Sequence, residues 1–287
     1  MQNKDSNMIK RIMIIALLAL AAYYALLFAN EPKTRVLATD RLLESSGLAR
    51  SLMNKDILYS HNDSGGEASV FAIDTSGNLV AEIRLDNVKN RDWEEIATWR
   101  HPKTNTAYIY VGEIGDNKAR YQNLSFYRFA EPQLTDSLIV VNDYDKIDFV
   151  YEDGARDAEA FFVEPKTGDI YIISKREDQV GIYKLPYPQQ TGVILRAEKM
   201  GVMQMNWVTA ADISPDGKQI LVKNYGSVRK FRVRGNAIVK ALSGKGKDLP
   251  YQLEPQGEAI CFDHSGKGYY TLSEAAEGRD QILYYYK

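Results

Sequence analysis

Acidic residues recur at five places along this 287-residue chain, each beside the start of a short apolar run. The openings read Glu44-Ser-Ser-Gly-Leu48, Asp92-Trp-Glu-Glu-Ile96, Asp157-Ala-Glu-Ala-Phe161, Thr209-Ala-Ala-Asp-Ile213 and Gln256-Gly-Glu-Ala-Ile260. Two positions before the apolar anchor stand Ser46, Glu94, Glu159 and Glu258; four before it stand Glu44, Asp92, Asp157 and Gln256. The fourth opening fits this frame poorly, with Thr209 and Ala211 in one alignment and Asp212 displaced by one. A spacing of two on a strand keeps both sets on one side. Oxygen donors that meet in this way suit a hard cation, and Ca²⁺ accepts carboxylates, amide carbonyls and water in flexible geometry. Glu44, Asp92, Glu94, Asp157, Glu159 and Glu258 are the expected ligands. Arginine pairing is the competing reading, since Arg91 and Arg156 directly precede two of the acidic pairs.

The elements that must bring these residues together are the repeats themselves. Their openings lie about 48, 65, 52 and 47 residues apart, close to the period of about 40–50 residues of propeller blades. Each repeat runs strand, Pro/Asp/Gly turn, strand, then a third strand, as in Glu164-Pro-Lys-Thr-Gly168 followed by Ile170–Ile173 and Gly181–Lys184. The expected fold is all-β: a β-propeller of five blades over residues 40–287, with six as the alternative, each of four antiparallel strands. The last repeat stops after its third strand, and residues 31–39 are expected to supply the closing strand. The long second repeat carries additional apolar stretches at 137–141 and 147–150.

Antiparallel pairing puts the end of each second strand beside the start of each first strand. The same face therefore gathers His61, Glu113, Asp116, Lys175, Arg176 and Lys223. Asp116, Arg120, Lys175, Arg176 and Lys223 are the expected ligand-binding residues, and His61 and Glu113 are the candidate proton carriers. Trp207 is expected at the channel mouth. His101 and His264 fall in turns at the opposite face, which excludes a three-histidine metal site. No Gly-x-Ser-x-Gly elbow is present, and the glycine-containing loops open no helix.

Residues 1–30 form a separate element. Ile12–Ala29 is an 18-residue apolar run behind Lys4, Lys10 and Arg11. This predicts one N-terminal transmembrane anchor, or a signal peptide, with the rest of the chain extracytoplasmic and the membrane as partner. A net charge of −2 argues against a nucleic-acid partner. The single cysteine, Cys261, has no partner for an internal disulfide.

The combination of His61-Asn-Asp-Ser-Gly-Gly66, Gly112-Glu-Ile-Gly-Asp-Asn117 with Arg120, Tyr127-Arg128 with Glu131-Pro132, Asp157-Ala-Glu-Ala160, Ala211–Gly217 and Gln256–Ile260 resembles a group of secreted or membrane-anchored bacterial propeller proteins of unassigned function. The resemblance spans residues 40–280 and implies an exported propeller. A looser likeness links the chain to calcium-dependent propeller hydrolases, including five-bladed nucleotidases and phytase-like enzymes. Two functions follow as expectations: a binding or interaction module with a cation in an acidic channel, taking an unknown small molecule or protein, or a calcium-dependent hydrolase of phosphoesters or lactones. The sequence leaves open whether the chain is an enzyme.

Overall fold

A computed structural model describes residues 13–17 and 31–287. Residues 13–17 are helical and exposed; the remainder of the expected anchor, 1–30, lies outside the described residues. Among the described residues, no helix is long and apolar enough to cross a membrane. Every residue of the five buried apolar clusters lies between Leu37 and Tyr286. The part from Glu31 onward therefore carries its own complete core.

That part is all-β, apart from the short helix Ile238–Leu242. Its strands fall into five units. The first unit is β2 (Ser45–Arg50), β3 (Ile57–Asn62), β4 (Glu67–Asp74) and β5 (Leu79–Lys89). The second is β6 (Trp93–Arg100), β7 (Ala107–Glu113), β8 (Leu124–Ala130) and β10 (Asp145–Tyr151). The third is β11 (Ala158–Val163), β12 (Ile170–Ser174), β13 (Val180–Leu185) and β14 (Ile194–Met203), and the fourth is β15 (Val208–Ile213), β16 (Gln219–Asn224), β17 (Ser227–Arg232) and β18 (Lys247–Leu249). The fifth joins β19 (Gly257–Phe262), β20 (Tyr269–Ser273) and β21 (Ile282–Tyr286) to β1 (Lys33–Val36), which pairs antiparallel with β21. Strand order follows the chain in the first four units, while in the fifth β1 from the start of the domain stands outermost beside β21; neighbours within each unit are antiparallel.

The additional length of the second repeat is used twice. β10 is the outer strand of its own unit, while β9 (Leu138–Val141) crosses to the first unit and pairs parallel with β5. A parallel pairing of β10 with β14 joins the second and third units into one eight-stranded sheet. The two end strands of that sheet, β6 and β11, also pack together, so the sheet nearly closes on itself.

The first strands are buried along their length, which places them innermost. β2 packs against β6, β6 against β11, β11 against β15, β15 against β19, and β19 against β2. The turn from first to second strand carries a left-handed residue in four units: Asn105, Gly168, Gly217 and Gly266. Each of their N–H groups closes the turn onto the carbonyl of His101, Glu164, Ser214 or Asp263. Such φ values cost a side chain with a Cβ, so glycine or asparagine stands there.

Candidate functional site

Each innermost strand breaks register once, at the same place. The breaks fall between Ser45 and Gly47, Trp93 and Glu95, Ala158 and Ala160, Val208 and Ala210, and Gly257 and Ala259. The residues left out of the ladder are Ser46, Glu94, Glu159, Thr209 and Glu258. A bulge leaves its additional residue unpaired and re-aims its side chain. This corrects the sequence alignment of the fourth repeat. Its frame starts two residues earlier, at Trp207, so Thr209 rather than Ala211 joins the set.

Backbone and side-chain hydrogen bonds link the units around this face. Trp93 N donates to Asp63 O at 2.8 Å, Trp207 N to Lys175 O at 2.7 Å and Ala275 N to Leu43 O at 2.7 Å. Asp116 N donates to Asp157 Oδ1 at 2.9 Å, and Lys223 Nζ donates to Gly257 O. Every neighbouring pair of units is thus tied beside the bulges.

The carboxylates meet around Glu94, which is 3% exposed. Ligand oxygens of Asp63, Asp92 and Glu94 lie within 4.8 Å of one another, and so do those of Glu94, Asp157 and Glu159. Two charges about 4 Å apart repel by roughly 4 kcal/mol at an effective dielectric of about 20, and the two groups of three resolve this differently. Asp157 accepts Arg176 Nε at 2.5 Å, and Glu159 accepts Lys175 Nζ. Among the described residues, Asp63, Asp92 and Glu94 have no ion-pair partner. Burial raises the carboxyl of Glu94 well above its usual range, and the charges of Asp63 and Asp92 push it further. Burial, then Asp92, raises Asp63 to about 7. Oδ1 of Asp63 and Oε2 of Glu159 are buried without hydrogen-bond partners.

The expected arginine pairing takes a different form. Arg91 Nη2 lies 3.5 Å from Glu113 and its guanidinium stacks on Tyr121 at 4.0 Å. Arg156 pairs with Asp153 and Glu177, not with Asp157. Glu258 accepts Tyr225 Oη at 2.6 Å, and Tyr225 in turn accepts Lys175 Nζ at 3.2 Å. Glu44 is exposed at the rim, its N–H on Asn62 Oδ1. Glu274, which burial and Glu258 push up to about 7, stands beside it.

Several expected roles do not survive the geometry. His61 is fully buried, set edge-on to Trp93 with ring centroids 5.7 Å apart, and burial lowers its pKa to about 4. It does not reach solvent to carry a proton. Lys223 is likewise 0% exposed, stacked on Tyr251 and near Glu254, and cannot meet a ligand at the mouth. Asp116 turns both oxygens onto the N–H groups of Arg120 and Tyr121, which shapes its own loop. Arg120 lines a separate outer groove with Tyr121 and Tyr151. Glu113 is held by Arg91. Arg176 remains at the mouth, its guanidinium 5.2 Å over the indole of Trp207, which is 46% exposed and held at φ 53°.

Two further residues carry the site. A Cβ on Gly115 would meet Asp92 and Glu94, so the loop after β7 closes over the acids only because glycine is there. Below the bulges, the residues at the next ladder position are Gly47, Glu95, Ala160, Ala210 and Ala259. Glu95 fills the space that the four small residues leave. Its carboxylate accepts Leu48 N, Ile96 N and Ala211 N at 3.0–3.2 Å, joining β2, β6 and β15. Once the fourth repeat is shifted by two residues, the single large residue among four small ones is the sequence signal for it.

No protein-family model matches the sequence. No curated protein matches it. Among solved structures, Kuenenia stuttgartiensis hydrazine synthase is similar over 84% of this chain and 58% of that chain, at 14% identity and a TM-score of 0.40. The chain thus spans less than two thirds of that protein's length.

Proposed function

We propose that the chain is an extracytoplasmic, membrane-anchored five-bladed β-propeller that binds Ca²⁺ at the mouth of its axis and uses it to hold an anionic ligand. The observation that carries this reading is the contrast between the two groups of acids. Asp157 and Glu159 each have a basic partner, whereas Asp63, Asp92 and Glu94 converge with none within ion-pair distance among the described residues. A divalent cation would relieve that repulsion, and oxygen donors of this kind suit Ca²⁺. The cyclic packing of the five innermost strands supports the blade count. The apolar run Ile12–Ala29 supports the anchor.

The bound ion would leave positions open toward the mouth. There Arg176, already paired with Asp157, carries the indole of Trp207, which offers a flat apolar face beside the ion. An acidic group on the ion with a ring against the indole would use both. Hydrolysis of a phosphoester or lactone needs a proton carrier at the same place. His61 is buried and Glu113 is paired, so the two expected carriers do not serve. Asp63 and Glu274, raised to about 7, are the groups at the mouth that could, and binding is the reading preferred, with hydrolysis as the alternative.

Calorimetric titration of Ca²⁺ into chelator-treated protein, residues 31–287, tests this. The expected result is one saturable site that Asp92→Asn removes. Absence of heat and of binding, or binding unchanged in Asp92→Asn, contradicts it.

A further inference from the structure

A second charged feature lies far from the acids in composition and position. From Gly217 to Lys247 the chain has nine Lys and Arg residues and no Asp or Glu. Three of the nine are neutralised: Lys218 by Asp216, Lys223 near Glu254 and Arg229 by Asp248. The other six, Lys230, Arg232, Arg234, Lys240, Lys245 and Lys247, have no ion-pair partner among the described residues, and all but Lys230 are exposed. Five of them line one groove of about 550 Å³ at the outer edge of the fourth unit, with no acidic residue in its wall.

That groove adjoins a second one of about 360 Å³ through the shared Lys230. The second groove lies between the outer strands of the fourth and fifth units. It adds Lys33 and Lys267 to the basic set, with the rings of Tyr269, Tyr285 and Tyr286 and the apolar Leu249 and Phe262. Its one acidic residue is Glu31. Glu31 follows the apolar run Ile12–Ala29 by two positions, so the chain enters the domain at this groove. The exposed strand β1 continues from it along the edge of the fifth unit with Arg35.

We infer that this edge of the domain rests on the bilayer, with the basic grooves taking the phosphate headgroups of anionic lipids. The inference rests on the anchored reading for its orientation, and the charge pattern argues for it separately. The part from Glu31 onward has 33 basic and 37 acidic residues, a formal charge of −4, because Lys4, Lys10, Arg11 and Asp5 precede it. A domain of net negative charge has no general attraction to an anionic surface, so binding must come from the patch. Basic residues near such a surface each add favourable energy that fades within a Debye length. Tyrosines suit the headgroup level, where one end of the ring is apolar and the other wet. The entry point of the chain beside the grooves keeps the patch within reach of the membrane.

Co-sedimentation of residues 31–287, without the apolar run, with vesicles of phosphatidylglycerol and of phosphatidylcholine tests the patch alone. The expected result is partitioning onto phosphatidylglycerol that is lost in about 0.5 M salt. Binding to phosphatidylcholine is expected to be absent. Arg234→Glu, Lys240→Glu and Lys247→Glu together should lower partitioning about a hundredfold, with the melting temperature unchanged. No partitioning onto phosphatidylglycerol, equal partitioning onto both lipids, or partitioning insensitive to the triple substitution overturns the inference. So does capture of soluble polyphosphate by a protein that ignores both vesicles. Membrane fractionation of the full chain reports on the anchor independently, so failure of the anchor and failure of the patch are told apart.

Discussion

A Cβ built on Gly115 would run into Oε1 of Glu94 and also into the carboxyl group of Asp92. The loop after β7 therefore sits on the acids closely enough that one methyl group is too many. Gly115→Ala should force the carboxylates apart. We expect it to cost about 1–3 kcal/mol of stability, as overpacking does, and to abolish the rise in melting temperature on adding Ca²⁺. Thermal melts with Ca²⁺ and with chelator check this; an undiminished Ca²⁺ response in the variant counts against the site.

Glu94 is the carboxylate shared by both groups of acids. Without metal its charge is opposed by burial and by Asp63 and Asp92. Glu94→Gln should therefore stabilise the chelator-treated protein, by about 1–2 kcal/mol if one repulsive contact is removed, while eliminating the Ca²⁺ response. Denaturant titration in chelator reads the first effect. Destabilisation together with retained Ca²⁺ binding would show that Glu94 has a purely structural role.

The pH dependence follows from groups at the mouth. Asp63 is raised from 3.8 to about 7 and Glu274 from 4.5 to about 7. A carboxyl whose folded pKa is raised contributes stability that is full below its unfolded value and is lost as pH rises through the folded one. In chelator, these two groups should lower the melting temperature from about pH 4 to about pH 7, while buried His61, lowered from 6.5 to about 4, raises it over about pH 4 to 6.5. The decline is therefore read as the difference between the unaltered protein and Asp63→Asn with Glu274→Gln. Lys223, lowered from 10.5 to about 8 by burial, acts with the opposite sign, but only between about 8 and 10.5. Saturating Ca²⁺ should flatten the decline, and its affinity should rise over the same window as protons leave the ligands. A difference profile, unaltered protein minus the double variant, that climbs from about pH 4 to about pH 7 would contradict the assignment.

Lys175 and Glu159 form a buried pair, with side chains 5% and 6% exposed. Removing one partner of such a pair commonly costs about 3–5 kcal/mol, while removing both costs far less. Lys175→Met should be strongly destabilising, and Lys175→Met with Glu159→Gln should recover most of the loss. Equilibrium unfolding of the three variants forms the cycle; simple additivity would mean that the two groups do not interact.

The all-β character and the approach of Glu94 to Asp157 and Glu159 were legible because a strand's period of two and a repeat of near-constant length leave few other arrangements. What the spacing could not convey was the bulge. Present at the same place in all five innermost strands, it shows that Trp207 and Thr209 occupy the positions that hold Asp92 and Glu94 in the second unit, two residues earlier than the anchor Ile213 suggests. The choice between cation and ion pair was hidden for a similar reason. Arg91 and Arg156 neighbour the acids in sequence, yet the outward turn of each strand start sends them to Glu113 and to Asp153. Lys175 and Arg176, just past the second strand of the same unit as Asp157 and Glu159, pair with those two acids. Burial was the other missing information. His61 and Lys223 stand at second-strand ends as expected, but their side chains lie inside the fold.

The central claim is that a divalent cation completes the unpaired acids at the axis. Anomalous diffraction from crystals of residues 31–287 grown in Ca²⁺ measures this directly. The account predicts one strong peak coordinated by Asp63, Asp92 and Glu94, absent from crystals of Asp92→Asn. A map with no peak there, and with the three carboxyl groups held by shared protons at neutral pH, would contradict it.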